Sequence, residues 1–200
     1  SGKQFKIIEI HKFLPSKIIK HLTLGFDPSL FTKQNLNSYF GSSLKLKAIN
    51  KNLIDEIYKK KIIRTKSFFS LNNKAVGENY KSKINRVTNI LKLSKADYLF
   101  ISAPENVAWL MNIRGHDNPN SPIPNCRLIV KKNKKIFLIA NKIKTLKIIK
   151  EKKLSAKQIV SPEKFQNLIK KLRGDKFIID NLSCSILDEN IIKSKFKIIS

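Results

Sequence analysis

Asp97-Tyr-Leu-Phe-Ile-Ser-Ala-Pro-Glu-Asn-Val-Ala-Trp-Leu-Met-Asn-Ile-Arg-Gly-His-Asp-Asn-Pro-Asn-Ser-Pro-Ile-Pro124 contains a strand, a short helix and a proline-rich loop in immediate succession. Tyr98 to Ile101 is an uninterrupted apolar run of strand length, which predicts a buried strand. Ser102 and Glu105 have capping-box spacing, so a helix is expected to start there, with Pro104 in its first turn where a missing N–H costs nothing. Val107, Leu110 and Met111 recur at helical spacing and predict one buried face. The helix should end near Asn112, because Gly115, Pro119, Pro122 and Pro124 cannot continue it. Arg114, His116 and Asp117 then lie on a loop beyond an element end, where binding groups are often carried.

Outward from this stretch, strands alternate with helices. Tyr80, Ile84, Val87, Ile90 and Leu91 form one stripe of a preceding helix. Arg127 to Val130 and Ile136 to Ala140 read as a hairpin around a lysine turn, and Asn141 caps a helix expected to bury Ile143, Leu146 and Ile149. Its lysines 144, 147 and 150 are expected to face solvent. A strand at Gln158 to Val160, a helix carrying Phe165, Leu168, Ile169 and Leu172, a strand at Phe177 to Ile179, a helix from Ile186 to Lys193 and a last strand at Phe196 to Ile199 complete the pattern. The fold class is α/β, a mixed sheet flanked by helices, since the hairpin adds antiparallel pairs.

The first third is shorter in its elements. Strands are expected at Phe5 to Ile10 and His21 to Phe26, then a helix capped by Thr32 and carrying Leu36, Tyr39 and Phe40. A strand with Leu44, Leu46 and Ala48 on one face follows, then a helical turn or two before Tyr58. The organisation read from this is 1–65 as part of a first domain, 66–76 as a linker and 77–200 as a second domain.

Two hundred residues, 42% of them hydrophobic, suffice for a real core, and no apolar run reaches the roughly 20 residues of a membrane span. The start Ser-Gly-Lys-Gln, without Met, reads as a processed, excised or truncated chain. Cys126 and Cys184 are isolated, which points to a reduced, cytoplasmic setting. The net charge of +27 raises nucleic acid as a partner, but only five of the 41 basic residues are Arg (64, 86, 114, 127 and 173). Base readout and bidentate phosphate contacts favour Arg. The lysines are spread among abundant Ile and Asn, as codon drift in an AT-rich genome would leave them. His11, His21 and His116 are scattered, and no GxSxG, HExxH or Cys-His pattern is present, so catalysis by these residues alone is not expected.

Glu105-Asn-Val-Ala-Trp-Leu-Met-Asn-Ile-Arg-Gly-His-Asp-Asn-Pro-Asn-Ser-Pro122, preceded by Ala96-Asp97 and a strand, resembles the aminopeptidase P (Xaa-Pro aminopeptidase) family of M24 metallopeptidases, in the creatinase-like N-terminal region. Ser121 stands where the family has Asn. Gly25-Phe-Asp-Pro-Ser-Leu-Phe-Thr32 and Asn52-Leu-Ile-Asp-Glu-Ile-Tyr58 are similar to two further family stretches, with Phe31 replacing His and Tyr58 replacing Trp. The prolines usual after the second stretch are missing.

The resemblance implies two creatinase-like domains, the first of them incomplete in this sequence, followed in the family by a pita-bread catalytic domain absent from it. It implies two divalent metals, usually manganese, held by that absent domain, with no metal ligands and no cofactor in the present residues. It also implies a homodimer and proline-containing peptides as substrates. Arg114, Asp117 and His116 are then the substrate-cleft candidates, with Trp109, Asn112, Gly115, Pro119 and Pro122 as the structure around the loop. The competing local readings are an Arg114–Asp117 or Arg114–carbonyl contact, Asp117 as an Asx-turn or N–H acceptor, Trp109 in the core, and His116 as a solvated loop residue. The functional expectation is the non-catalytic N-terminal portion of an Xaa-Pro aminopeptidase, shaping substrate access and dimerisation. The alternative is a creatinase-like binding module with a basic surface for peptide or nucleic acid.

Overall fold

A computed structural model describes residues 22–41, 44–49, 51–58 and 66–199. The chain divides into two compact units. Among the described residues the first holds 22–58 with Ser185–Leu187, and the second holds 66–184 with 188–199. The strand expected at Phe5 to Ile10 lies outside the described residues.

In the first unit β1 (Thr23–Phe26) pairs in parallel with β2 (Lys45–Ala48). Between them runs α1 (Lys33–Phe40), capped as expected by Thr32, whose hydroxyl accepts from Asn35 N at 3.1 Å, and closed by Gly41 at φ 62°. Leu36 is buried, whereas Tyr39 of the expected face is exposed. Of the face expected on β2, Leu44 is buried and Ala48 exposed.

Asp27 ties the turn after β1 to α2 (Leu53–Ile57). It accepts from Ser29 N and Oγ at 2.8 and 2.7 Å and from Asn52 Nδ2 at 2.9 Å, and Asn52 in turn caps α2 through Ile54 N. The Ser29 hydroxyl, against a smaller desolvation effect and helped by Ser29 N–H and Asn52, holds the Asp27 carboxyl below its ordinary range. The motifs at Gly25 and at Asn52 are therefore the two halves of one hydrogen-bonded junction.

The second unit is built on a six-stranded mixed sheet. Its strands are β4 (Tyr98–Ile101), β6 (Arg127–Lys131), β7 (Ile136–Ile139), β8 (Ile159–Val160), β9 (Lys176–Ile178) and β10 (Lys197–Ile199), in the order β10-β9-β4-β6-β7-β8. β4, β9 and β10 are mutually parallel, β6 is antiparallel to β4 and β7, and β8 is parallel to β7. Period-2 alternation fills both faces. Leu128 and Val130 of β6 point into one core with Ile84, Leu91, Val107, Leu110 and Met111. Ile129 points into the other with Tyr98, Phe100, Phe165, Phe177 and Phe196.

The first core is covered by α4 (Tyr80–Leu93), α5 (Pro104–Met111) and α6 (Lys142–Lys150), the second by α7 (Phe165–Lys171) and α8 (Ile186–Lys193). Two helix faces differ from expectation. On α6 the buried residues are Thr145 and Ile148, while Ile143 and Leu146 are exposed. Thr145 satisfies its hydroxyl on Lys142 O at 2.7 Å, so burying it costs little. On α4, Ile90 is exposed because the stripe narrows to Ile84, Thr88 and Leu91.

The segment read as a linker carries structure where it is described. β3 (Phe69–Ser70) pairs antiparallel with β5 (Ile113–Arg114), the helical turn α3 (Asn73–Val76) follows, and Phe68 is fully buried. Asp97 fastens one end of the sheet: it accepts from Asp175 N at 2.7 Å, Lys176 N at 3.2 Å and Lys132 Nζ at 2.5 Å. Burial raises its pKa, but these hydrogen bonds and the Lys132 charge outweigh that and leave it lowered. Lys95, Lys134 and Lys152 adopt the left-handed region, at φ 51°, 67° and 54°, and each closes a turn.

Candidate functional site in the loop after the Trp109 helix

The loop of interest begins at the end of α5. No capping box forms at its other end: Ala103 is the N-cap without a side-chain bond, and Ser102 Oγ instead meets Ser183 Oγ at 2.7 Å. Pro104 occupies the first turn, as expected. Val107, Leu110 and Met111 are buried, but Trp109 is 55% exposed, contrary to the core position expected of it. It falls two residues from Val107, on the opposite side of a helix with 3.6 residues per turn.

Asn112 closes α5 in the left-handed conformation (φ 50°, ψ 45°) and is itself buried. Its Nδ2 donates to Glu78 O at 2.8 Å, its Oδ1 accepts from Lys83 Nζ at 2.8 Å, and its carbonyl accepts from Leu71 N at 3.1 Å and Lys153 Nζ at 2.9 Å. Lys83, 3% exposed, also donates to Trp109 O at 2.7 Å and lies 4.1 Å from the Trp109 ring centroid. Desolvation lowers the Lys83 pKa, opposed by Glu78 and aided by Arg86 and Arg114. A cation over the ring and a buried amide beneath it thus fix the Trp109 turn.

Beyond Asn112, β5 is held by β3, and Gly115 N donates to Pro122 O at 3.0 Å. A Cβ on Gly115 would stand 2.6 Å from Pro124 Cα, so only glycine allows this close approach. Arg114 does not pair with Asp117. Its Nη1 donates to Ala108 O at 3.2 Å and Ile113 O at 2.9 Å, the carbonyl alternative of the two read from sequence. Asp117 accepts from Asn125 N at 2.6 Å and is ion-paired with Lys144, so it is an N–H acceptor spanning the loop's neck. The Asx-type contact is made by Asn118, which accepts from Asn120 N at 3.1 Å.

His116 is exposed and its ring centroid lies 5.3 Å from that of Phe69. Pro119 and Pro122 help line a hollow of about 390 Å³ with Lys66 and His116. A smaller hollow of about 230 Å³ lies between Trp109, Arg114, Pro122 and Ile123, with Glu105 at its edge. Cys126, just past the loop, is buried, and desolvation, with a contribution from Asp117, pushes its thiol up to about 12. That places it among inert structural cysteines.

The structure thus gathers Trp109, Arg114 and Pro122 around one hollow and His116 and Pro119 around the neighbouring one. It turns the Asp117 carboxylate inward toward Lys144. Lys147 and Lys150 face solvent as expected, but Lys144, expected to do the same, is largely buried and paired with Asp117. Lys83 escaped the sequence reading, since a lysine in a lysine-rich helix carries no local signal of its burial. Among the described residues no three His, Cys, Asp or Glu side chains come together as metal ligands. No described helix is long and apolar enough to cross a membrane.

Residues 59–200 match the model of the creatinase/prolidase N-terminal domain. The chain belongs to this family. The family assignment agrees with the mixed, helix-flanked sheet, and the relationship to the N-terminal region of Xaa-Pro aminopeptidases expected from the Trp109–Pro122 motif holds. This creatinase/prolidase N-terminal chain is 30% identical over 131 residues to Protein pid-5 of Caenorhabditis elegans, covering 60% of the chain and 12% of that protein. It is 30% identical over 108 residues to Probable Xaa-Pro aminopeptidase P of Neurospora crassa, covering 50% and 16%. With Xaa-Pro aminopeptidase 1 of Dictyostelium discoideum it shares 29% over 136 residues, covering 57% and 20%. Its fold is similar to the crystal structure of an X-prolyl aminopeptidase from Caenorhabditis elegans, described as a cytosolic enzyme with a di-nuclear active site. There the TM-score is 0.74 and the identity 19%, over 98% of this chain and 34% of that one. The matched region spans a fifth or less of the length of these curated relatives.

Proposed function

We propose that this creatinase/prolidase N-terminal chain is the non-catalytic part of an Xaa-Pro aminopeptidase, and that its 114–124 loop forms one wall of a substrate cleft completed by a catalytic domain. The observation that carries the reading is the exposed Trp109 beside Arg114 and Pro122, around a hollow of about 230 Å³ on a loop pinned at its neck. An exposed indole on the helix and a guanidinium at the start of the loop suit a peptide: apolar area for a proline ring, donors for a carbonyl or carboxylate. The family membership and the named Xaa-Pro aminopeptidases among the relatives support the same reading.

In this reading the two divalent ions, manganese by the family resemblance, are held by the catalytic domain, in keeping with the di-nuclear active site of the similar Caenorhabditis enzyme. Trp109, Arg114 and the loop behind them bind and orient the peptide and exclude water from the cleft. Assembly as a homodimer through the N-terminal domains and a cytoplasmic location belong to the same proposal; the latter draws on the cytosolic Caenorhabditis enzyme.

The test has two arms. The purified chain with manganese should leave Arg-Pro-Pro intact, and turnover in proportion to the chain would overturn the non-catalytic reading. Joined to the catalytic region of the Dictyostelium relative, Trp109→Ala and Arg114→Gln should each raise KM for Arg-Pro-Pro about tenfold, with kcat changed less. An unchanged KM in both would remove the loop from the cleft.

A further inference from the structure

Away from the Trp109 loop, two hollows adjoin in the second unit and share Tyr80, Lys81 and Lys153 as lining. The deeper one, about 350 Å³, is walled by Tyr80, Ile84, Ile136 and Leu154, with Lys134 and Gln158 at its edge. The more open one, about 550 Å³, is lined by Ser70, Asn112, Glu151 and Lys152 among others. Lys153 stands at the junction because α6 ends in a left-handed turn. Lys152 at φ 54° donates its N–H to Ile149 O, and Lys153 N donates to Ile148 O, which reverses the chain.

The junction carries more positive than negative charge, and Tyr80 and Lys153 are tied across it by the Tyr80 hydroxyl, which donates to Lys153 O at 3.1 Å. Lys153 Nζ donates to Asn112 O at 2.9 Å and lies 5.2 Å from the Tyr80 ring centroid. Burial, with the nearby Lys83 charge and against Glu151, lowers its pKa from 10.5 to about 8. Lys81, Lys134 and Lys152 add three more cations, and Glu151 is the one carboxylate among the residues lining the two hollows. An excess of cations beside an apolar recess makes a site for an anion with an apolar body.

We infer that the paired hollows at Tyr80 and Lys153 bind a small organic anion. Its carboxylate or phosphate sits against Lys153 where the two hollows meet, and its aromatic or aliphatic body lies against Tyr80, Ile84, Ile136 and Leu154. The site shares Asn112 with the turn that holds Trp109, but none of its lining residues is a proposed peptide contact. Lys153 supplies one charge-assisted hydrogen bond, and Lys81 and Lys134 supply unpaired charge at the mouth.

The test is calorimetric titration of the whole chain with phenyl phosphate and benzoate, alongside inorganic phosphate and benzyl alcohol. One equivalent of an aromatic anion should bind, and inorganic phosphate and benzyl alcohol should each bind at least about tenfold more weakly. Lys153→Met should weaken the aromatic anion about tenfold, and Lys134→Gln, on an exposed turn, should weaken it severalfold while Lys170→Gln leaves it unchanged. Equal binding of benzyl alcohol, several weak equivalents insensitive to both Lys153→Met and Lys134→Gln, or no binding at millimolar concentration would each overturn the inference. Should Lys153→Met fail to fold, the Lys134→Gln and Lys170→Gln pair decides.

Discussion

Gly115→Ala tests the architecture of the loop directly. The added Cβ would stand 2.6 Å from Pro124 Cα, 3.0 Å from Pro124 Cβ and 3.1 Å from Pro124 N. Carbon atoms pack at about 3.5–4.0 Å, so the backbone at 124 must retreat by about 1 Å. It has little room to do so, because Asp117 holds Asn125 N at 2.6 Å and is itself held by Lys144. Overpacking of this kind costs about 1–3 kcal/mol, and loss of the Gly115 N to Pro122 O bond adds about 0.5–1.5 kcal/mol. The expected destabilisation is therefore about 2–4 kcal/mol. Urea unfolding followed by tryptophan emission measures it, since Trp109 is the single tryptophan and borders the loop. Gly77→Ala is the comparison: its Cβ meets open space, and only its φ of 66° is strained, so about 1 kcal/mol is expected. A Gly115→Ala loss under about 0.5 kcal/mol, or one no larger than that of Gly77→Ala, would refute the close-approach argument.

Asp97→Asn should destabilise the second unit by about 1–3 kcal/mol, because an amide that keeps its oxygen on the Asp175 and Lys176 N–H groups turns its NH₂ toward the Lys132 ammonium, and chemical denaturation at neutral pH reads it. Asn112→Gly keeps the left-handed backbone but strips Lys83 of a buried acceptor; a loss of about 2–4 kcal/mol is expected, against near-neutrality if the side chain were dispensable. Lys153 gives a pH signature. Its folded pKa of about 8 lies below its ordinary 10.5, so between those values the unfolded chain holds a proton that the folded chain lacks. Its contribution is complete above 10.5 and is lost as pH falls through about 8. The stability of Lys153→Met relative to the parent should therefore fall as pH rises from about 7.5 toward about 10, and a difference independent of pH would contradict the burial of this amine.

Much of the second unit was legible because its signals are local. Tyr98 to Ile101, the lysine turn of the hairpin, the Asn141 cap and the Phe165 helix follow from alternation, turn chemistry and capping, none of which needs a distant partner. The misreadings involve residues whose role is set from afar. Ser102 matches a capping box but finds Ser183, 81 residues on. α6 offers an apolar triplet at 143, 146 and 149, yet it is rolled so that Lys144 reaches Asp117 and its carbonyl receives Phe68 N at 2.7 Å. The site was half visible. The motif placed Trp109, Arg114 and Gly115 in one stretch, but the lysines beneath Trp109 and behind Asp117 come from helices on either side of it in sequence.

The left-handed lysines explain how a polypeptide with 41 basic residues keeps ordinary helix ends. Lys95 and Lys152 stand just past α4 and α6, where glycine is the relaxed choice and a bulkier residue costs about 1–2 kcal/mol. A cation at that spot faces the negative pole of the helix and recovers about 0.3–1 kcal/mol. Two opposed effects of similar size largely offset each other, so helix exits can accumulate positive charge with little thermodynamic consequence, whereas the same replacement at a loop closure such as Gly115 would be blocked by the neighbouring backbone at Pro124.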